Sequence, residues 1–115
     1  MNTKLSYTAN NIVTDLQNEL SNLIGTRLIK IILYGSYARS SESDDSDIDL
    51  IVLTDFPDSE IRLLSEKINS ITVDLSLKYD IVVSLIIKNI STFNKYSNVI
   101  PFYNNISTDG IVLYG

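Results

Sequence analysis

The segment Leu33-Tyr34-Gly35-Ser36-Tyr37-Ala38-Arg39 is followed by a polar, acidic stretch and then by Ser46-Asp47-Ile48-Asp49-Leu50. It lies between two apolar runs. On the N-terminal side, Arg27 to Tyr34 carries Leu28, Ile29, Ile31, Ile32 and Leu33, a short and nearly continuous run that reads as a strand buried on both faces. Gly35 closes that strand. On the C-terminal side, Ile48 to Leu53 repeats the buried-strand pattern until Thr54 to Pro57 breaks it. Ser36 to Ser46 is too polar to be core.

Working outward, Ile12, Val13, Leu16, Leu20, Leu23 and Ile24 recur at steps of three and four, which predicts an amphipathic helix over residues 8 to 24, ended by Gly25. Asp55 or Asp58 is placed to cap a second helix, on which Ile61, Leu64, Ile68, Ile71 and Leu75 form one stripe running to about Leu77. Ile81 to Ile87 reads as a third strand, and Ser91 opens a short helical stretch with Phe93 and Tyr96. Ile111 to Tyr114 reads as a last edge strand. The expected fold is α/β (α+β), a small mixed β-sheet with helices packed on it. Residues 1–115 read as a single domain.

The composition, 44% hydrophobic and 20% charged, is that of an ordinary globular protein. Cysteine and histidine are both absent, which removes disulfides, thiolate nucleophiles, the usual zinc ligands and the commonest general base. Carboxylates and a bound ion are left to carry any catalysis. The net charge of −5 suits a polyanion poorly, so nucleic acid is not expected as a direct partner. No apolar run reaches the roughly 18 residues of a membrane span, and no apolar signal core follows Met1, so a cytoplasmic location without membrane contact is expected.

Successive side chains of a strand alternate faces, so Asp47 and Asp49 point one way while Ile48 and Leu50 point into the core. Two carboxylates on one edge repel unless a cation sits between them. Magnesium suits such a pair, because it takes one or two carboxylates together with substrate phosphates. At Gly35 and Ser36, where the strand turns towards a short helix near Tyr37, exposed amides and a hydroxyl can hold phosphate oxygens. Arg39 and Ser46 border the same loop and extend the candidate nucleotide-binding set. Bland alternatives stand beside these readings: an Asp-x-Asp is also a common solvated turn, and Arg39 can equally pair with Glu42, Asp44 or Asp45.

The spacing of Gly35-Ser36 from Asp47-Ile48-Asp49, and the fuller text GSYARSSESDDSDIDLIV, resembles the minimal nucleotidyltransferase (MNT) branch of the DNA polymerase β nucleotidyltransferase superfamily. The closing segment from Val99 to Gly115 is also similar to the end of bacterial MNT proteins, so the likeness spans nearly the whole chain. It implies a polymerase β-like fold, one or two Mg2+ ions held by Asp47 and Asp49, and a nucleoside triphosphate, ATP, as substrate. It further implies transfer of AMP to a protein hydroxyl, with a HEPN-domain ribonuclease toxin as partner and the chain as its antitoxin.

Two positions depart from the family pattern. Ser40 stands where glycine is usual, and Val82 stands where the superfamily places a third carboxylate. Asp80, two residues earlier, is expected on the same strand face, roughly 6–7 Å further along, and is the candidate third catalytic acid. Its other reading is a cap at the end of the preceding helix. Val82 therefore keeps open an alternative function, an MNT-fold interaction module that neutralises a partner by binding. A transferase acting on a small molecule or a tRNA end is disfavoured by the acidic charge and by the lack of a second domain to hold such an acceptor.

Overall fold

The computed structural model describes residues 7–38 and 47–115. Four α-helices pack on a four-stranded mixed sheet: α1 (Tyr7–Ile24), β1 (Leu28–Tyr34), β2 (Ile48–Thr54), α2 (Asp58–Tyr79), β3 (Val83–Asn89), α3 (Ile90–Tyr96), α4 (Pro101–Asp109) and β4 (Ile111–Tyr114). The strand order is β3-β2-β1-β4. β1 runs antiparallel to both β2 and β4, whereas β2 and β3 are parallel, with α2 as the crossover that such a pair requires.

The two faces of the sheet carry separate cores. On one face α1 and α2 bury Ile12, Leu16, Leu20, Ile31, Leu33, Ile48, Leu50 and Val52 in a continuous cluster. On the other, Ile32, Ile51 and Leu53 meet Phe93 of α3 and Ile106 of α4. β1 and β2 supply both clusters from alternate positions, which is why they are apolar nearly throughout. No helix among the described residues is long and apolar enough to cross a membrane.

Several boundaries differ from the periodicity. Pro57, rather than Asp55 or Asp58, occupies the N-cap of α2, and Asp55 instead takes a hydrogen bond from Arg27 Nε at 2.7 Å. Asp58 and Glu60 fall in the first turn, where negative charge suits the helix dipole. α4 has no counterpart among the expected elements: Asn104 and Asn105 are weak helix formers that mask it, although Pro101 at its start is a recognised opening signal. β3 begins at Val83 instead of Ile81. The reason lies at the end of α2, where Ser76 gathers the chain. Its carbonyl accepts from the N–H groups of Asp80 and Ile81, and its hydroxyl accepts from Val83 N–H at 3.0 Å.

Candidate functional site

The register of β1 on β2 sets Tyr34 opposite Asp49, so the end of one strand and the start of the other make a single corner. Gly35 follows with φ +77°, a left-handed backbone that side chains seldom adopt. A Cβ added at Gly35 would collide with Oδ2 of Asp49. Glycine therefore both bends the chain and leaves the space in which the carboxylate lies against the backbone. Residues 36–38 continue as a turn, closed by Ala38 N–H donating to Gly35 C=O at 3.1 Å, and a helix beginning near Tyr37 would extend outside the described residues.

Ile48 and Leu50 are fully buried beneath α1 and α2, while Asp47 is exposed and Asp49 half-buried. The alternation of the strand thus directs both aspartates to the opposite side, towards the face of Ile51 and Leu53. Tyr34 shares this corner. Its phenol is pushed up to about 12, first by burial and then by the negative charge of Asp49.

The neighbouring strand β3 supplies no carboxylate beside the pair. Asp49 is in register with Ser84, and Ile48 N–H donates to Val82 C=O at 2.9 Å, which brings Val82 alongside Asp47 with its side chain exposed. Asp80 does not share the strand face expected of it. It is the left-handed C-cap of α2, with φ 53°, and lies ahead of β3. Aspartate tolerates that conformation better than most residues. Among the described residues no group of three or more acidic, histidine or cysteine side chains is gathered to hold a metal ion. Arg39, Ser40 and Ser46, with Glu42, Asp44 and Asp45, lie outside the described residues.

Sequence reasoning missed a recess beside Gly35. It measures about 160 Å³ and is lined by Tyr34, Gly35, Phe102, Asn105, Ile106 and Asp109. The Tyr34 and Phe102 rings meet edge to face there, with centroids 5.6 Å apart. The spacing of Phe102, Asn105, Ile106 and Asp109 would have placed these side chains on one helical stripe, had α4 been recognised.

The family model described as Nucleotidyltransferase domain matches residues 13–102. Two Methanocaldococcus jannaschii proteins that carry the provisional name of protein adenylyltransferase are similar to the chain. One is 34% identical over 102 residues, covering 89% of this chain and 94% of the relative. The other is 38% identical over 78 residues, covering 66% and 75%. Among solved structures, a chain from the tri-AMPylated Shewanella oneidensis HEPN toxin in complex with MNT antitoxin superposes with a TM-score of 0.53 at 23% identity, covering 94% of this chain and 70% of that one. A chain from a toxin-antitoxin structure with AMP-PNP gives 0.55 at 24% identity, covering 89% and 72%. These two likenesses bear on the fold. Matched by the family model over residues 13–102, and by a relative along nearly all of that relative's length, this protein belongs to the nucleotidyltransferase domain family.

Proposed function

We propose that the chain transfers AMP from ATP to a hydroxyl group of a partner protein, and that the partner is a HEPN-domain toxin which this transfer silences. The observation that carries the reading is the carboxylate of Asp49 seated against Gly35, on the same side of β2 as Asp47. A glycine bend with open backbone next to paired carboxylates can receive phosphate oxygens and a divalent cation together. The protein adenylyltransferase relatives and the AMPylated toxin complex support the choice of nucleotide and acceptor.

In this reading Asp47 and Asp49 are the magnesium ligands, and Gly35 and Ser36 hold the phosphates, with Arg39 and Ser46 as the further nucleotide-binding candidates. The donor set fits: two carboxylates from one strand edge leave the remaining positions of a magnesium ion to phosphate and water. Bound magnesium would neutralise the triphosphate and polarise the reacting phosphate. The acceptor oxygen forms a bond to the α-phosphorus, the bond to the pyrophosphate oxygen breaks, and the hydroxyl proton passes to solvent or a carboxylate. Asp80, at the same end of the sheet, is the candidate for that proton. The residues Asp47, Asp49, Gly35 and Ser36 act chiefly by alignment, which alone can supply several kcal/mol. We place the protein in the cytoplasm, as a single domain over residues 1–115.

A second reading, silencing by binding alone, is favoured by Val82 at the position beside Asp47. Exposed Val99, Ile100 and Phe102 could then contribute to a contact surface. The test is to incubate the chain with magnesium, α-labelled ATP and the product of the neighbouring gene. Transfer predicts label on that product, lost in Asp47→Ala and Asp49→Ala. Silencing without label supports the binding module instead.

A further inference from the structure

We infer that the recess between the end of β1 and α4 is the base pocket of this enzyme, with Asp109 and Asn105 recognising the exocyclic amine and ring nitrogen of adenine. The inference rests on the proposed nucleotide reading and names the part of the substrate held beyond the phosphates. Gly35 is shared between the two halves of the site. It meets the Asp49 carboxylate and also lines the recess. A nucleotide whose phosphates lie at the bend therefore has this recess within reach of its base.

Size and chemistry agree. At about 160 Å³ the recess is smaller than the roughly 300–1,000 Å³ that drug-sized ligands occupy, and it suits one ring system rather than a whole nucleotide. Two aromatic rings, Tyr34 and Phe102, and the aliphatic Ile106 form its apolar wall. Stacking on such a wall is tolerant of base identity. Discrimination must come from the polar lining, and Asn105 and Asp109 supply it. They are four residues apart on α4 and so stand one above the other on the same helix face. A carboxylate only accepts hydrogen bonds, so Asp109 selects a base that presents an amine. The amide of Asn105 both donates and accepts, and can serve a ring nitrogen beside that amine. Hypoxanthine, which replaces the amine with a carbonyl, would set oxygen against the Asp109 carboxylate.

The experiment measures displacement of a fluorescent ATP analogue from the whole chain in magnesium, by ATP and by inosine triphosphate. The wild type is expected to bind ATP at least about tenfold more tightly, the value of a hydrogen bond to a charged group. Asp109→Asn is expected to remove most of that preference while leaving binding of inosine triphosphate nearly unchanged or improved. Asn105→Leu is expected to weaken ATP severalfold. Both side chains are exposed, so neither change threatens the core. Equal affinity of the wild type for the two nucleotides, or a preference that survives Asp109→Asn, overturns the base pocket and leaves the phosphate site standing. Failure of both nucleotides to bind overturns the nucleotide reading itself.

Discussion

The two ends of the sheet treat their polar groups in opposite ways. At the end where β1 begins and β2 finishes, Thr54 is fully buried, and its hydroxyl donates to Arg27 C=O at 2.7 Å and accepts from Phe56 N–H. Asn89 donates to Phe56 C=O, and the Arg27 guanidinium lies over the Phe56 ring and bonds Asp55. Polar atoms there are spent on one another and lock the turn between β2 and α2. At the opposite end, Asp49 lies against a glycine bend that also lines a recess with an aromatic pair and Asp109, and Asp47 is exposed ahead of β2. One end holds the chain together, and the other leaves Asp47, Asp109 and a recess open to solvent. The ion pairs Arg27–Asp55 and Lys78–Asp15 involve none of these residues.

The contrast breaks if changes at the two ends have the same consequence. The largest effect is expected from Gly35→Ala, which forces a side chain into the left-handed conformation and against Asp49. Nucleotide transfer should fall by about a hundredfold or more, as for loss of an aligned transition-state contact, while stability drops only about 1–2 kcal/mol. Labelled transfer and urea unfolding measured on the same sample separate the two. At the closed end, Thr54→Val strands the Arg27 carbonyl and the Phe56 amide, so it should cost about 1–3 kcal/mol of stability and leave transfer intact. Loss of transfer at constant stability in that variant would erase the distinction.

The smallest effect concerns the approach to the open end. Lys78 and then Tyr79, near the close of α2, donate to Asp15 of α1 and hold its carboxyl below the ordinary value of 3.8. A depressed folded value means that this contribution is complete above about pH 4 and is lost as pH falls through the lower, folded-state value. Asp15→Asn should therefore be modestly less stable than the wild type at pH 7, and the gap should close on acidification below 3.8. Paired urea midpoints at the two pH values check it. A gap that widens with acid would reverse the assigned sign.

Elements whose identity depends on local periodicity were legible. β1 and β2 announce themselves as unbroken β-branched runs, and α1 and α2 as stripes at helical spacing. The orientation of Asp47 and Asp49 follows from strand alternation alone, and the buried Ile48 and Leu50 agree with it. What the sequence could not convey depends on contacts across the fold. Asp80 looked like a strand residue because Ile81 and Val82 are β-branched, yet Ser76 binds the amides of Asp80, Ile81 and Val83 and holds the segment at the helix terminus. Phe102, Asn105 and Asp109 approach Gly35 only because α4 returns over the sheet and β4 pairs beside β1. No local pattern near Gly35 encodes that return.

During synthesis, Tyr34, which Gly35 follows, and Asp49 emerge close together and pair on neighbouring antiparallel strands. Ser84 reaches its place beside Asp49 only after the 22-residue α2 crossover has been completed. Loop closure costs more as the intervening chain lengthens, and pairings between distant segments form more slowly. The nascent polypeptide therefore frames its acidic corner first and walls it in afterwards, so damage to the crossover should trap a chain that has the corner but not its enclosure.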